Sequence, residues 1–249
     1  MIHVYKIFTC TLLIAFLAHS GYAQVGEVQK KSKQNQENKK SGRREGGGGN
    51  SGVFFDLFFQ VTLNGLIEAQ TQQLQRKEDE PWLVSFEGML YSGYSPKNNN
   101  ILYQPAIRGN WGLFSSSLRY NRMVDETGNF ETIDWQTFIL NVVNRPKATF
   151  RIGTGLSWDQ EVHDAYFEHF LGLDLHFNER QVNPTTEIRV SKDYGTGATP
   201  RFEWNTRVDF NFRNVGKLHI NPMVGVIYQR YFSSVDFFFF QFGLRMSLY

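Results

Sequence analysis

The sequence has a single cysteine, Cys10, which excludes a disulfide framework and a Cys-based zinc site within one chain. After the first 20 residues no apolar run approaches the ~20 residues that a spanning helix needs, and the mean hydropathy is -0.39. A helical membrane protein is therefore excluded. The net charge of +2 is too small for a nucleic-acid binder recognised by bulk charge. The 249 residues suffice for one large domain or two small ones.

Aromatic residues are abundant, since 23 Phe, 11 Tyr and 5 Trp make up 16% of the chain. The first 23 residues read as a secretory signal peptide. Lys6 supplies the positive charge, residues 7–18 form a short apolar core, and small residues at Gly21 and Ala23 predict cleavage before Gln24. We therefore expect an exported protein whose mature chain lacks cysteine.

Residues 24–52 are basic and polar. They hold seven Lys or Arg against three Glu and end in the run Gly46–Gly49, which precedes no phosphate-loop Lys. Such a segment buries too little apolar surface to offset the entropy cost of ordering it, so it is predicted to be a disordered tether. An alternative is a basic arm that touches anionic lipid or a partner. Residues 53–249 carry a net charge of -3.

From residue 82 onward the sequence alternates between apolar and polar residues with a period of two, which predicts antiparallel β-strands. Turn residues such as Asn, Gly and Pro separate the alternating segments. In 132–143 two apolar phases compete, and the pattern leaves the inward face undecided. The ten predicted segments are 82–94, 101–109, 113–123, 132–143, 149–158, 166–177, 185–191, 201–212, 218–230 and 236–248.

The two faces of these strands predict an inverted barrel, with charges inside and apolar residues in lipid. Mixed-sign charges can pair across a closed lumen, and Trp and Tyr near segment ends are typical of an interfacial girdle. A soluble barrel with an apolar interior is the alternative. The predicted lumen network is Glu87, Arg108, Arg119, Arg151, Glu168, Asp174, His176, Glu187, Arg189, Glu203, Arg207, Asp209 and Arg245. The predicted lipid-facing residues are Phe202, Trp204, Val208, Phe210, Phe238, Phe240, Phe242 and Leu244.

The signal peptide, the two-faced strands and the final strand FFFFQFGLRMSLY resemble those of Gram-negative outer-membrane β-barrel proteins. The resemblance covers 82–249 at the level of the class. It departs at Tyr249, which lies one residue out of the lipid-facing phase. It implies an all-β, transmembrane up-and-down barrel of about ten strands in the outer membrane, with both termini periplasmic. Outer-membrane lipid and the barrel-assembly machinery are the implied partners.

Residues 53–81 precede the barrel. A partial helical pattern favours an amphipathic helix at the periplasmic interface or in the barrel mouth. The alternative is an extra strand at the seam, which would make the strand count odd.

No constellation of residues predicts catalysis or metal binding. Residues 159–164 hold three carboxylates and His163, but their spacing is not that of a calcium loop. His163, His169 and His176 lie too far apart along a strand to share one metal. We expect no enzyme activity, cofactor or metal.

The predicted function is a non-enzymatic scaffold, or a component of an outer-membrane complex, with a lumen largely filled by charge. Residues 24–81 are the candidate segment for a periplasmic or membrane protein partner, and no nucleic acid is expected. A narrow small-solute channel is the alternative, and a barrel enzyme acting on lipid or peptide is less favoured.

Overall fold

The computed structural model describes residues 24–41, 63–77, 79–97 and 99–249. The predicted signal peptide, the later part of the predicted tether and residues 53–62 lie outside the described residues.

The described chain forms a closed antiparallel β-barrel, as predicted. Each strand is hydrogen-bonded to the next from β1 to β8, β8 and the short β9 both pair with β10, and β10 pairs with β11. The last strand pairs with the first, with Leu244 opposite Leu90. The strands are β1 (Val84–Ser95), β2 (Asn100–Trp111), β3 (Phe114–Asp125), β4 (Gly128–Arg145), β5 (Ala148–Asp159), β6 (Asp164–Leu175), β7 (Val182–Lys192), β8 (Arg201–Phe210), β9 (Arg213–Val215), β10 (Leu218–Tyr231) and β11 (Val235–Leu248).

Short β9 continues β8, so the barrel has ten strand positions. Asp209 of β8 pairs with Met223 of β10, and Arg213 of β9 pairs with Ile220. Between these two pairs the β8–β9 side has one residue more than β10, which makes it a β-bulge. The even number agrees with the prediction of ten strands.

The two ends of the barrel differ in their connections. We call the end that carries Val84 of β1 and Leu248 of β11 the near mouth; its turns are residues 112–113, 146–147, 176–181 and 216–217. The far mouth carries the loops 96–99, 126–127, 160–163, 193–200 and 232–234.

Strand β4 contains the segment 132–143, whose inward face the sequence pattern left undecided. Its pairing with β5 shifts register between Trp135 and Phe138 and again between Asn141 and Val143. Each bulge moves the following residues to the opposite face. Buried positions therefore run through Gln136, then Ile139 and Asn141, then Asn144, and neither single phase fits all of 132–143.

The prediction of a disordered tether over 24–52 is corrected for its first part. Residues Val25–Lys40 form an α-helix, α1, across the far mouth. Its side chains at Val25, Val28, Ser32 and Asn35 are buried at helical spacing. Local composition gave no sign of order because the stabilising contacts come from barrel loops about 100 or more residues away.

A second helix, α2 (Leu63–Gln75), and a 3-10 turn (Pro81–Leu83) precede the barrel. Gln70 of α2 donates to the carbonyl of Trp111 (3.0 Å) and accepts from the backbone N–H of Leu113 (2.6 Å), at the near mouth. Because β1 pairs directly with β11, no extra strand lies at the seam. Neither described helix has the length and apolar character needed to cross a membrane.

Gly155 of β5 is predicted to be essential for the first β4 bulge. It lies opposite that bulge, and an added Cβ would lie 2.0 Å from the carbonyl oxygen of Trp135. We expect Gly155→Ala to lower the free energy of unfolding by about 1–3 kcal/mol, because backbone must move to admit the methyl group. Urea unfolding in detergent micelles measures this.

Gly109→Ala is the matched control, since an added Cβ there meets nothing within 4 Å. Equal stability of the two variants would contradict the close approach at the bulge.

Candidate functional site

Charged side chains fill the inside of the barrel between the two mouths. Twelve of the thirteen residues predicted for the lumen network form ion pairs there with two further residues, and their side chains are buried or nearly so. The seven arginines are Arg108, Arg119, Arg151, Arg189, Arg201, Arg207 and Arg245, and the seven carboxylates are Glu87, Asp134, Glu168, Asp174, Glu187, Glu203 and Asp209.

Glu187 on β7 is the centre of one cluster. Its carboxylate oxygens lie 3.0 Å from Arg108, 3.1 Å from Arg207, 3.4 Å from Arg189 and 3.6 Å from Arg151. All five side chains are at most 4% exposed. A buried charge is costly unless it is paired, and this one carboxylate is shared by arginines of four strands. Three of them also contact Glu87, Asp174 or Glu168, whereas Arg207 pairs with Glu187 alone among the described residues.

A second cluster lies closer to the far mouth. Arg119 on β3 contacts Asp134 (2.9 Å) and Glu203 (2.5 Å), while Arg201 on β8 contacts Asp134 (2.7 Å) and also Glu168. The planar guanidinium groups each join two carboxylates, which suits Arg better than Lys.

Two of these contacts cross the full width of the barrel. Arg119 and Glu203 lie on β3 and β8, and Arg108 and Glu187 lie on β2 and β7. In a ring of ten strands, positions five apart are diametrically opposite. Direct pairing at 2.5 and 3.0 Å between such positions bridges the lumen at those two levels.

The sequence analysis missed Arg201 and Asp134. Arg201 lies in phase with the other inward residues of β8, so alternation alone was sufficient to find it. Asp134 lies beside the first bulge of β4, where the competing apolar phase hid the inward face.

The residues predicted to face lipid lie on the outside of the barrel. Phe210, Phe240 and Phe242 are 43–58% exposed. The other five are partly covered by neighbours on the same face: Phe202, Trp204, Val208, Phe238 and Leu244. At the end of β11, Leu248 is exposed, whereas Tyr249 stacks on His219 with ring centroids 4.2 Å apart.

The inside of the barrel becomes apolar just below the far mouth, and α1 covers this layer. Val25 and Val28 are fully buried against inward-facing side chains of five strands. Those side chains are Leu102, Met123, Phe130, Ile227, Tyr231, Val235, Phe237 and Phe239. Burying two valines stabilises the docked helix by roughly 3–6 kcal/mol before ordering costs are subtracted.

Polar contacts fix α1 over this layer. Ser32 hydrogen-bonds Asp159, Asn35 donates to Asp193 at 2.8 Å, and Lys33 pairs with Glu161 at 2.7 Å. Lys39 pairs with Asp164 at 2.8 Å. Burial lowers the pKa of Lys39, but the hydrogen bond to Asp164 and the charge of Asp193 outweigh that and raise it above its usual value.

The acidic residues of 159–164 therefore bind the basic helix of the same chain. No group of metal-ligating side chains occurs among the described residues. The sequence shows that the tether is basic and this loop is acidic, and that opposite charge is the signal from which the docking of α1 could have been predicted.

The three histidines singled out by the sequence lie apart. His163 is in the exposed far-mouth loop, and His169 contacts the Tyr194 hydroxyl at 2.8 Å on the outer face. His176 lies at the near mouth, where its Nδ1 is 2.8 Å from Asn183 Oδ1. Burial and nearby Arg180 lower the pKa of His176 to about 4, so it is neutral at pH 7.

Comparison with known proteins gives a likeness of fold. No family model matches the sequence, and no curated protein matches it. Among solved structures, a chain described as a KdgM porin resembles it with 9% sequence identity and a TM-score of 0.33, covering 67% of this chain and 99% of that chain.

Glu187→Gln is predicted to destabilise the barrel strongly. The substitution keeps the shape of the side chain but leaves four buried arginines with less compensating charge. We expect the free energy of unfolding to fall by about 3–5 kcal/mol, measured by urea unfolding in micelles.

Glu131→Gln is the control, because the Glu131–Arg122 pair (3.4 Å) is exposed and is expected to contribute less than about 1 kcal/mol. A similarly small effect for Glu187→Gln would mean that the cluster around Glu187 does not hold the lumen together.

Proposed function

We propose that this chain is a bacterial outer-membrane barrel that acts as a non-enzymatic membrane scaffold or as a component of an outer-membrane complex. The observation that carries this proposal is the pair of contacts across the full width of the lumen, Arg119–Glu203 and Arg108–Glu187. The lumen is bridged at two levels and α1 covers the far mouth. The surfaces left for binding partners are therefore the outer face, the rims and the helices.

The membrane location rests on the outer face. Large apolar side chains are exposed around the barrel, among them Phe86 (52%), Leu90 (55%) and Val224 (55%), with Trp111 (66%) at the near rim. Exposed apolar surface on this scale is unfavourable in water and favourable in hydrocarbon. A closed barrel also pairs its backbone polar groups, as lipid requires. Outer-membrane lipid is the partner of this face.

We assign the near mouth to the periplasm, because both ends of the barrel sequence lie there and outer-membrane barrels are inserted from that side. The barrel-assembly machinery would read the final strand, β11. On this assignment α1 covers the extracellular mouth, so Gln24 and Tyr249 lie at opposite ends of the barrel, whereas the sequence predicted both termini in the periplasm.

A periplasmic protein partner would bind through α2, at the near mouth, and a membrane protein partner would bind through α2 or, at the extracellular mouth, through α1. One face of α1 is already used against the barrel, and the exposed lysines Lys30, Lys31 and Lys40 lie on the rest of the helix. Such a partner would carry negative charge. We propose no nucleic-acid partner and no cofactor.

Absence of enzyme activity is part of the proposal. His163, His169 and His176 lie respectively at the far mouth, on the outer face and at the near mouth, so they do not act on one substrate together. His176 bonds an amide and has no adjacent serine nucleophile in a pairing geometry among the described residues.

A narrow small-solute channel is the second candidate, and one observation favours it. The cover over the far mouth is a separate helix with a largely polar surface, and it is fixed by a few side-chain contacts at the loops. Release of such a helix would open that mouth, although the ion pairs below it would still fill the lumen.

Conductance in planar bilayers distinguishes the two functions. We expect purified full-length protein to give no steady current. Val28→Asp introduces a charge into the fully buried contact of α1 and is expected to release the helix. Because the lumen remains bridged, this variant is also expected to stay closed.

Gln34→Asp adds the same charge on the exposed side of α1 and serves as the control. Steady current from the full-length protein would contradict the closed scaffold. Current from Val28→Asp but not from Gln34→Asp would instead support a channel gated by α1.

A further inference from the structure

A small polar cavity lies in the near mouth, at the end of the barrel opposite to α1. Its volume is about 60 Å³, and Trp82, His176, Arg180 and Tyr249 contribute to its wall. Since one water needs about 10–15 Å³ on this scale, the cavity accommodates a few water-sized groups. It therefore fits the head group of a ligand rather than a large solute.

Arg180 differs from the arginines of the lumen network. Those arginines contact carboxylates, whereas the Arg180 guanidinium makes no ion pair with a described residue. It stacks on the indole ring of Trp82, with its central carbon 3.9 Å from the ring centroid. Its Nε and Nη2 atoms are buried and lack a hydrogen-bond partner among the described residues.

These two nitrogens form one edge of the guanidinium, and their N–H groups point in parallel. That edge matches the two oxygens of a carboxylate, which it binds through two charge-assisted hydrogen bonds. The stacked indole holds the guanidinium plane in place, so little conformational freedom is lost on binding.

Six more polar atoms in the wall also lack hydrogen-bond partners within the described chain. Three are donors, namely Nε1 of Trp82 and the Nε atoms of Arg151 and Arg245, and two are acceptors, namely Oε2 of Glu87 and Oδ1 of Asn221. The sixth is Nε2 of His176. A neutral imidazole has one N–H donor and one acceptor nitrogen. Nδ1–H of His176 donates to Asn183 Oδ1, so Nε2 is the acceptor. It offers nothing to a carboxylate, but it can accept a hydrogen bond from a hydroxyl group elsewhere on an organic acid.

The charged residues of the wall sum to +1, since Arg151, Arg180 and Arg245 stand against Glu87 and Asp174. Among the wall residues Arg151 pairs with Asp174 at 2.7 Å, and Arg245 pairs with Asp209 at 3.0 Å. Burial lowers the pKa of Arg180 to about 10, and the opposing effects of Tyr249, Asp174 and Glu87 do not offset it.

We propose that the near-mouth cavity is a binding site for the carboxylate group of a small organic acid or of a chain that ends in a carboxylate. The Nε–Nη2 edge of Arg180 holds the two oxygens, Trp82 supplies a further N–H, and the barrel presents the site at one mouth only. The site is independent of whether the lumen conducts.

Titration of ¹³C-carboxyl acetate, followed by NMR line broadening, tests this on the full chain in zwitterionic micelles at constant ionic strength. We expect saturable binding in the millimolar range. Arg180→Gln should weaken it at least tenfold, and Arg180→Lys severalfold, because Lys keeps the charge but loses the two parallel donors. Trp82→Phe keeps the ring and removes the N–H, and should weaken binding about threefold.

The matched controls separate this site from general charge effects. Acetamide has the same shape without the charge and should not bind. Arg213→Gln removes an exposed arginine at the same mouth and should leave acetate binding unchanged.

To identify the source of the carboxylate, acetate is compared with a tripeptide that has a free or an amidated C-terminus. Stronger binding of the free-acid tripeptide would indicate a chain end, and equal binding a small solute; both outcomes support the site. Unchanged acetate binding in folded Arg180→Gln, or acetamide binding as well as acetate, would overturn it. If Arg180→Gln fails to fold, Trp82→Phe decides, and unchanged binding there overturns the proposal.

Discussion

Charged side chains that are buried away from water require opposite charges nearby, and in this barrel that requirement determines which side chains fill the interior. Ten strands enclose a narrow space, and the long side chains of arginine reach carboxylates on strands across the ring. Removing Glu187 would leave four arginines with less compensating charge. The bridged lumen and the proposed scaffold function both depend on this pairing.

The two mouths of the barrel differ in how their interior side chains are covered or paired. At the far mouth the interior turns apolar, and a helix with two buried valines and a few polar contacts covers it. At the near mouth the interior remains polar, and one arginine is left without a carboxylate among the described residues. The barrel is therefore asymmetric along its axis, with a cover at one end and a positive cavity at the other.

Much of the barrel was predictable from the sequence, because alternation of period two reports directly on which face of a strand is buried. It located all ten strand positions and most of the inward charges. Alternation fails where the register shifts, and the two bulges in β4 hid Asp134 for that reason. It also says nothing about partners across the lumen, so the central role of Glu187 was not predictable.

Helix α1 was missed for a different physical reason. Its own sequence is polar and has little tendency to order, and its stability comes from loops that are distant along the chain. Pairing a basic segment with an acidic loop requires knowing that both lie at the same mouth, which follows only from the closed barrel. Arg180 was also missed, because it is distinguished by having no carboxylate partner among the described residues, which the sequence does not report.

The orientation of the two faces is tested most directly along β11, where Phe237–Phe240 are equally apolar in sequence. With Cys10 replaced by Ser, single cysteines at 238, 239, 240 and 241 are labelled with a fluorophore in bilayers that contain brominated lipid. We expect strong quenching at 238 and 240 and weak quenching at 239 and 241, since Phe239 and Gln241 are buried inside the barrel. Uniform quenching, or the reverse alternation, would contradict the account.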